Sequence, residues 1–299
     1  MTVRHVTPAA VMFKGASRNT LVGEVYGEEG PPVLLLHGGG QTRHAWKKTG
    51  DLIAQLGRTA YAIDQRGHGD SEWVEDGAYS FPDFAADART LADTLTERAG
   101  ERPVAVGASL GGIAALLAEG GPTRADRDHV FSALVLVDIT PRVDLEGVAK
   151  VQGFMRAHAR EGFGSIAEAA DAVAAYLPHR PRPRSHDGLK KNLRLHPDGR
   201  WRWHWDPRFL DGRRRVGPAG GEVEEMLVAA ARRVTIPTLL VRGASSELVK
   251  EEHARDLLQL VPHATYVDVS GARHMVAGDR NDQFAIAIKD FLSKLQTSV

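Results

Sequence analysis

No cysteine occurs among the 299 residues, which excludes disulfide staples, thiolate catalysis and thiolate metal sites. A surplus of either charge is missing as well. Thirty-eight Lys and Arg balance thirty-eight Asp and Glu, so no overall field draws the chain to nucleic acid or to an anionic membrane. No segment approaches the roughly 20 apolar residues of a membrane span, and Met1-Thr2-Val3-Arg4-His5-Val6 lacks the apolar core of a secretory signal. No internal repeat is present. Together these absences lead us to expect a cytoplasmic protein, monomeric or homodimeric, with no membrane and no nucleic-acid partner. What is there is 42% apolar residues, enough to build a core in one large α/β domain or two smaller ones.

The chain is organised around Gly107-Ala108-Ser109-Leu110-Gly111-Gly112, which follows the apolar run Pro103–Val106 and leads into Ile113–Ala118. The pattern reads as strand, sharp turn and helix. Gly-x-Ser-x-Gly in that setting is a nucleophile elbow, in which glycines remove the side chains that would collide and the serine hydroxyl is thrust beyond the strand end. Ser109 is therefore the candidate nucleophile. The helix beginning there aims its first amides and its positive dipole end at the same point, which suits an oxyanion.

Taken in order, Leu21–Tyr26 alternates imperfectly and predicts an antiparallel edge strand. Val33–Leu36 is a continuous apolar run, as expected of a strand buried on both faces, and it ends in His37-Gly38-Gly39-Gly40. This second Gly-rich strand end makes the amide of Gly39, paired with that of Leu110, the candidate oxyanion hole. Thr59–Asp64 predicts another strand, followed by Gln65-Arg66-Gly67-His68-Gly69-Asp70-Ser71, a polar loop read as a self-bonded scaffold rather than as chemistry. Ser80-Phe81-Pro82-Asp83 is a capping-box start; Phe84, Ala88, Leu91 and Leu95 follow at helical spacing. After a polar connection from Gly120 to His129, Ala133–Val137 is a strand ending in Asp138-Ile139-Thr140-Pro141.

From about Arg142 to Arg233 the alternation of strand and helix stops. Helices are expected at Val148–Ala159, Ser165–Leu177 and Val223–Arg232, separated by a basic Pro-rich connection, Pro178–Arg184, and by the aromatic stretch Trp201–Phe209. Strands resume at Thr238–Gly243 and Thr265–Val269, the latter leading to Gly271-Ala272-Arg273-His274, and a last helix covers Asp279–Leu295. Sites on such mostly parallel sheets lie at the carboxyl ends of the strands.

His37-Gly38-Gly39, Asp64-x-Arg66-Gly67-His68-Gly69-x-Ser71, Gly107-x-Ser109-x-Gly111 and the late Gly271-x-x-His274 stand in an order that resembles the α/β-hydrolase superfamily over nearly the whole chain. The resemblance is to its serine-nucleophile, esterase-like branch with a helical cap. It implies a mostly parallel central sheet flanked by helices, a core of residues 1–141 and 234–299, and a cap of residues 142–233 inserted after the sixth strand. Related epoxide hydrolases and haloalkane dehalogenases need an aspartate at the nucleophile position, so Ser109 points to acyl transfer to water. His274 takes the family's place for the general base. No cofactor and no metal are expected, since His179, His186, His196 and His204 show no paired ligand spacing.

The acid that orients the base departs from the commonest pattern. An aspartate is expected after the Thr238–Gly243 strand, where Ser245-Ser246-Glu247 stands; Glu247 is the nearest carboxylate. Asp138 is the other candidate, because some small esterases of the superfamily with a similar Val-Asp-Ile-x-Pro stretch take their acid from that strand end. Asp138 is preferred and Glu247 is kept as the alternative. Trp203, His204 and Trp205 are expected to line the acyl pocket, rigid aromatic surface being good at binding apolar groups. The expected activity is cleavage of a carboxylic ester or similar small acyl compound through an acyl-enzyme. Rival readings are hydrolytic C–C or thioester cleavage by the same triad, and a non-catalytic ligand receptor on the same fold.

Overall fold

Continuous apolar runs become the central strands. In the computed structural model, which describes residues 7–122, 129–180, 185–216, 221–279 and 281–296, the chain opens with β1 (Ala9–Lys14), β2 (Thr20–Tyr26), β3 (Pro32–Leu36), α1 (Lys47–Gln55) and β4 (Thr59–Ile63). It continues with α2 (Phe81–Ala99), β5 (Val104–Ala108), α3 (Leu110–Gly120) and β6 (Ala133–Val137). Every residue of β3 and β6 is buried, as strands covered on both faces must be. The N-terminal start, most of the Gly120–His129 connection and Pro181–Arg184 of the basic segment lie outside the described residues.

Between β6 and the next strand of the sheet come α4 (Leu145–Ala157), α5 (Ile166–Tyr176), α6 (Asp187–Lys190), β7 (Leu193–Leu195), β8 (Trp201–Trp203), α7 (Arg208–Asp211) and α8 (Gly221–Ala231). The sheet resumes with β9 (Thr238–Gly243), α9 (Glu251–Leu260) and β10 (Thr265–Val269), and the chain closes with α10 (Val276–Asp279) and α11 (Asn281–Gln296). The sheet order is β1-β2-β4-β3-β5-β6-β9-β10. Within this sheet, among the described residues, only the β1–β2 and β2–β4 pairings are antiparallel; its other pairings are parallel. Among the described residues no helix is long and apolar enough to cross a membrane.

Two elements differ from the sequence expectation. Leu21–Tyr26 does not end the sheet, because β1 pairs outside it; Ala-Ala-Val-Met-Phe-Lys shows little polar–apolar alternation and escapes a periodicity search. The insertion also holds a β7–β8 hairpin where only helices and connections were expected. The available signal is Asp198-Gly199, a turn pair with Gly199 at φ 78°, flanked by Leu193-x-Leu195 and Trp201-x-Trp203. The chain after β8 is stitched to the Asp64–Ser71 loop: the amide of Gly69 donates to the His204 carbonyl at 2.7 Å and that of Asp206 to the Gly67 carbonyl at 2.8 Å. Farther on, the amide of Tyr79 donates to the Arg214 carbonyl at 2.8 Å. α8 packs on α3, where a Cβ at Gly120 would lie 2.0 Å from the Ala230 carbonyl oxygen.

Helix ends follow local chemistry. α2 starts with the capping box of Ser80 and Asp83, with Pro in its first turn, and ends on Gly100 at φ 75°, the left-handed cap that glycine adopts without penalty. α5 is capped by Ser165, whose hydroxyl accepts the amide of Glu168.

Candidate active site

The sheet order reverses between β4 and β5, on either side of β3. At such a switch point the loops after adjacent strands part and leave a crevice. The loop after β3 carries Gly38 to Gly40, and the turn after β5 carries Ser109.

Ser109 sits at φ 47°, ψ −112°, a strained conformation for a residue with a Cβ. Close packing imposes it. A Cβ at Gly107 would lie 2.4 Å from the Gly111 carbonyl carbon, and one at Gly111 would lie 2.2 Å from the Leu36 carbonyl oxygen, so neither position admits a side chain. β5 and α3 can therefore approach closely enough to turn the chain within one residue. Leu110 opens α3, and its N–H has no intrahelical acceptor. A Cβ at Gly39 would be 3.9 Å from Leu110 Cβ, and one at Gly38 would be 3.5 Å from Ser109 Cβ, which sets the β3 loop against the elbow.

Arg18, Ser109 and Asp138 are the non-glycine residues at positive φ among those described. Asp138, at φ 49° just past β6, is fully buried. Three donors meet its carboxylate. The amide of Gly243 donates to Oδ1 at 2.9 Å, the Ser246 hydroxyl to Oδ2 at 2.6 Å, and Nδ1 of His274 lies 2.7 Å from Oδ2. A carboxylate so placed requires the hydrogen on Nδ1 and leaves the lone pair on Nε2. Ser246 itself accepts the amides of Leu248 and Val249 at 3.1 Å each. No described hydrogen bond joins Glu247 to His274; Glu247 instead lines the cavity beside the elbow.

That cavity, of about 830 Å³, is bounded by Ser109, Leu110, Gly39 and His274 from the sheet side and by Phe154, Met155, Trp203 and Trp205 from the insertion. Trp203 packs edge-on against Phe163 at 5.2 Å, and Trp205 against Phe209 at 6.2 Å. His204 does not join them. Its ring turns to Asp70, 3.6 Å away, because successive side chains of an extended segment point to opposite sides. Of the three residues expected at the pocket, the structure brings the two tryptophans to its wall and sends the histidine to the other face.

The polar loop after β4 is bonded to itself and to α2. Buried Asp64 accepts the amide of Asp70 at 2.9 Å and pairs with the Arg43 guanidinium, and the Ser71 hydroxyl donates to the Asp64 carbonyl at 2.6 Å. Arg66, fully buried, makes a two-pronged pair with Asp87 at 2.6 Å on each arm. Burial pushes His37 down to about 4 and His68 to about 3, so both imidazoles are neutral. Nδ1 of His37 donates to the Gly38 carbonyl at 2.8 Å while its Nε2 accepts the Gln65 amide at 3.0 Å. A neutral ring thus braces the glycine loop from beneath.

An eight-stranded, mostly parallel sheet, a serine on a strained strand–helix elbow and an imidazole–carboxylate pair at the neighbouring strand ends define an α/β-hydrolase fold. The alpha/beta hydrolase family model matches residues 33–287, and the chain belongs to that family of enzymes. It is 34% identical over 261 residues to an esterase of Mycobacterium tuberculosis, spanning 85% of this chain and 80% of the relative. It is 30% identical over 250 residues to the 2-(acetamidomethylene)succinate hydrolase of Mesorhizobium japonicum, spanning 83% of this chain and 82% of that protein. Among solved structures, E-2-(acetamidomethylene)succinate hydrolase superposes with a TM-score of 0.81 at 26% identity, covering 96% of this chain and all (100%) of the other. The M. tuberculosis esterase superposes at 0.72 and 28%, covering 96% and 92%.

Proposed function

We propose that the protein is a serine hydrolase that cleaves a carboxylic ester or similar small acyl compound through an acyl-enzyme. The observation that carries this reading is the 2.7 Å contact between His274 Nδ1 and Asp138 Oδ2 in the same cavity as the elbow serine. With its hydrogen fixed on Nδ1, the ring offers Nε2 as general base. Ser109 gives up its proton there and attacks the acyl carbon, and the amides of Gly39 and Leu110 receive the developing oxyanion. The imidazolium, stabilised by Asp138, returns the proton to the leaving alcohol. Water then repeats the sequence to release the acid. Residues 142–233 serve as the cap that selects the acyl group, with Trp203 and Trp205 against its apolar part. The esterase relative at 34% identity supports an ester as substrate.

A second reading takes an acetamido-dicarboxylate, the compound type named for the other relative; its support is the higher superposition score. Labelling of intact protein by a fluorophosphonate, followed by p-nitrophenyl esters of increasing chain length and by 2-(acetamidomethylene)succinate, separates the two. Ester turnover that is lost in Ser109→Ala with folding intact is the expected result. A wild type that takes no label and cleaves no ester overturns the reading.

A further inference from the structure

We propose that Arg180, from the turn after α5, and Asp279, in α10, form a clamp that sets the position of His274 from both sides of its backbone. This inference rests on His274 being the general base.

Asp279 Oδ2 accepts the amide of Arg273, the residue just before the histidine, at 2.9 Å. Its Oδ1 accepts Nε of Arg180 at 2.5 Å, and Nη2 of the same guanidinium also lies 2.5 Å from it. That guanidinium continues to the carbonyl of Met275, the residue just after the histidine, at 3.4 Å. The two neighbours of His274 are thus held by one ion pair, one partner of which belongs to the insertion. The Met275 carbonyl further accepts the amides of Gly278 and Asp279 at 2.9 Å each, so the short helix carrying Asp279 is folded back onto the loop it steadies. A Cβ at Gly278 would lie 2.9 Å from Arg180 Nη2, so a glycine there lets the guanidinium lie close. His179 Nε2 adds a third nitrogen, 3.9 Å from Asp279 Oδ1.

The Asp279 side chain is 5% exposed and that of Arg180 28%. In that partly dry setting the pair is strong, and removing either partner leaves a charge without its counterpart. Asp138 fixes which nitrogen of His274 carries the hydrogen; the clamp fixes where the ring stands. Both residues are positioning residues and neither touches the reacting atoms in the proposed mechanism.

The test uses Arg180→Gln, Asp279→Asn, the double variant and Arg180→Lys, assayed on p-nitrophenyl acetate and octanoate, with the rate of fluorophosphonate capture as a second readout. Each single neutralising variant is expected to lower kcat on the acetate by about tenfold, within what ~1 Å of misplacement removes, with KM changed less than about twofold. Fluorophosphonate capture slows in parallel. The double variant falls no further, because the residues act as one unit, and Arg180→Lys recovers most of the loss. Unchanged kcat, with or without a lowered melting temperature, overturns the proposal. So does a change confined to KM for the octanoate, which marks a latch on the insertion alone, or a double loss equal to the product of the singles. If Asp279→Asn does not fold, Arg180→Gln decides by the same kcat and KM criteria. An inactive, unlabelled wild type overturns the hydrolase reading and the clamp with it, whereas losses in the variants alone bear only on the clamp.

Discussion

The Ser246 hydroxyl lies 2.6 Å from Asp138 Oδ2, so the loop that commonly supplies the acid in this superfamily here supplies a donor to an acid on the neighbouring strand.

Asp138→Asn is expected to lower kcat/KM by about 10⁴-fold, the scale of such a change in a serine triad. With its carbonyl oxygen facing the Gly243 amide, the Asn side chain turns its NH₂ toward His274. The ring must then accept on Nδ1 and carry hydrogen on Nε2, where it can no longer take a proton from Ser109. Glu247→Gln should stay within about threefold of wild type, since mutations away from a shared network have small effects. Steady-state kinetics at neutral pH on a p-nitrophenyl ester check both.

Ser246→Ala removes one donor to Asp138 and the acceptor of two amides. A hydrogen bond to a buried charge is worth about 1.5–3 kcal/mol, so urea unfolding should show a loss of that order. Because the His274 contact survives, kcat/KM should fall far less than in Asp138→Asn. Equal losses in the two variants contradict the division of labour.

Trp203 and Trp205 are 8% and 2% exposed. Truncating either to Ala should cost about 3–5 kcal/mol, the usual range for a buried tryptophan, and should also alter the ratio of rates on acetyl, butyryl and octanoyl esters. Lowered stability with unchanged ratios assigns the tryptophans to holding the insertion together and removes them from the pocket.

His37 and His68 make the fold sensitive to acid. Both are held below the ordinary histidine value of 6.5, to about 4 and about 3, chiefly by burial. The unfolded chain takes up their protons below pH 6.5 and the folded one does not, so stability falls as pH drops from 6.5 toward 4. Each ring contributes a slope of about 1.4 kcal/mol per pH unit in that window. His68→Gln, compared with wild type by urea unfolding across it, should flatten the dependence by one such slope; an unchanged slope contradicts a neutral buried His68.

The sheet was legible in the sequence wherever burial is two-sided, because Val33–Leu36, Ala133–Val137 and Leu239–Val241 can be apolar at every position only if both faces are covered. The elbow was legible because steric exclusion leaves glycine alone at 107 and 111. β1 was not, being an edge strand with four exposed positions among its six residues and no periodic pattern. His204 was assigned to the pocket by its neighbours, and strand alternation, visible only once the extended segment is recognised, sends it away. The Arg180–Asp279 pair spans 99 residues, and nothing local in either segment announces the other.

The backbone bonds that tie Gly67 and Gly69 to Asp206 and His204 have a mechanical consequence. The hairpin side of the insertion is sewn to the core by main-chain amides, which no side-chain substitution removes; the start of α4 has one such bond, from the amide of Asp144 to the Leu248 carbonyl at 2.8 Å, whereas the chain just past α5 is tied down through the Arg180 side chain. The crevice therefore has one edge held by backbone bonds and another held by a side-chain ion pair. Amide hydrogen exchange should accordingly be faster along α5, where only Ala169 is buried, than at Gly69 and Asp206.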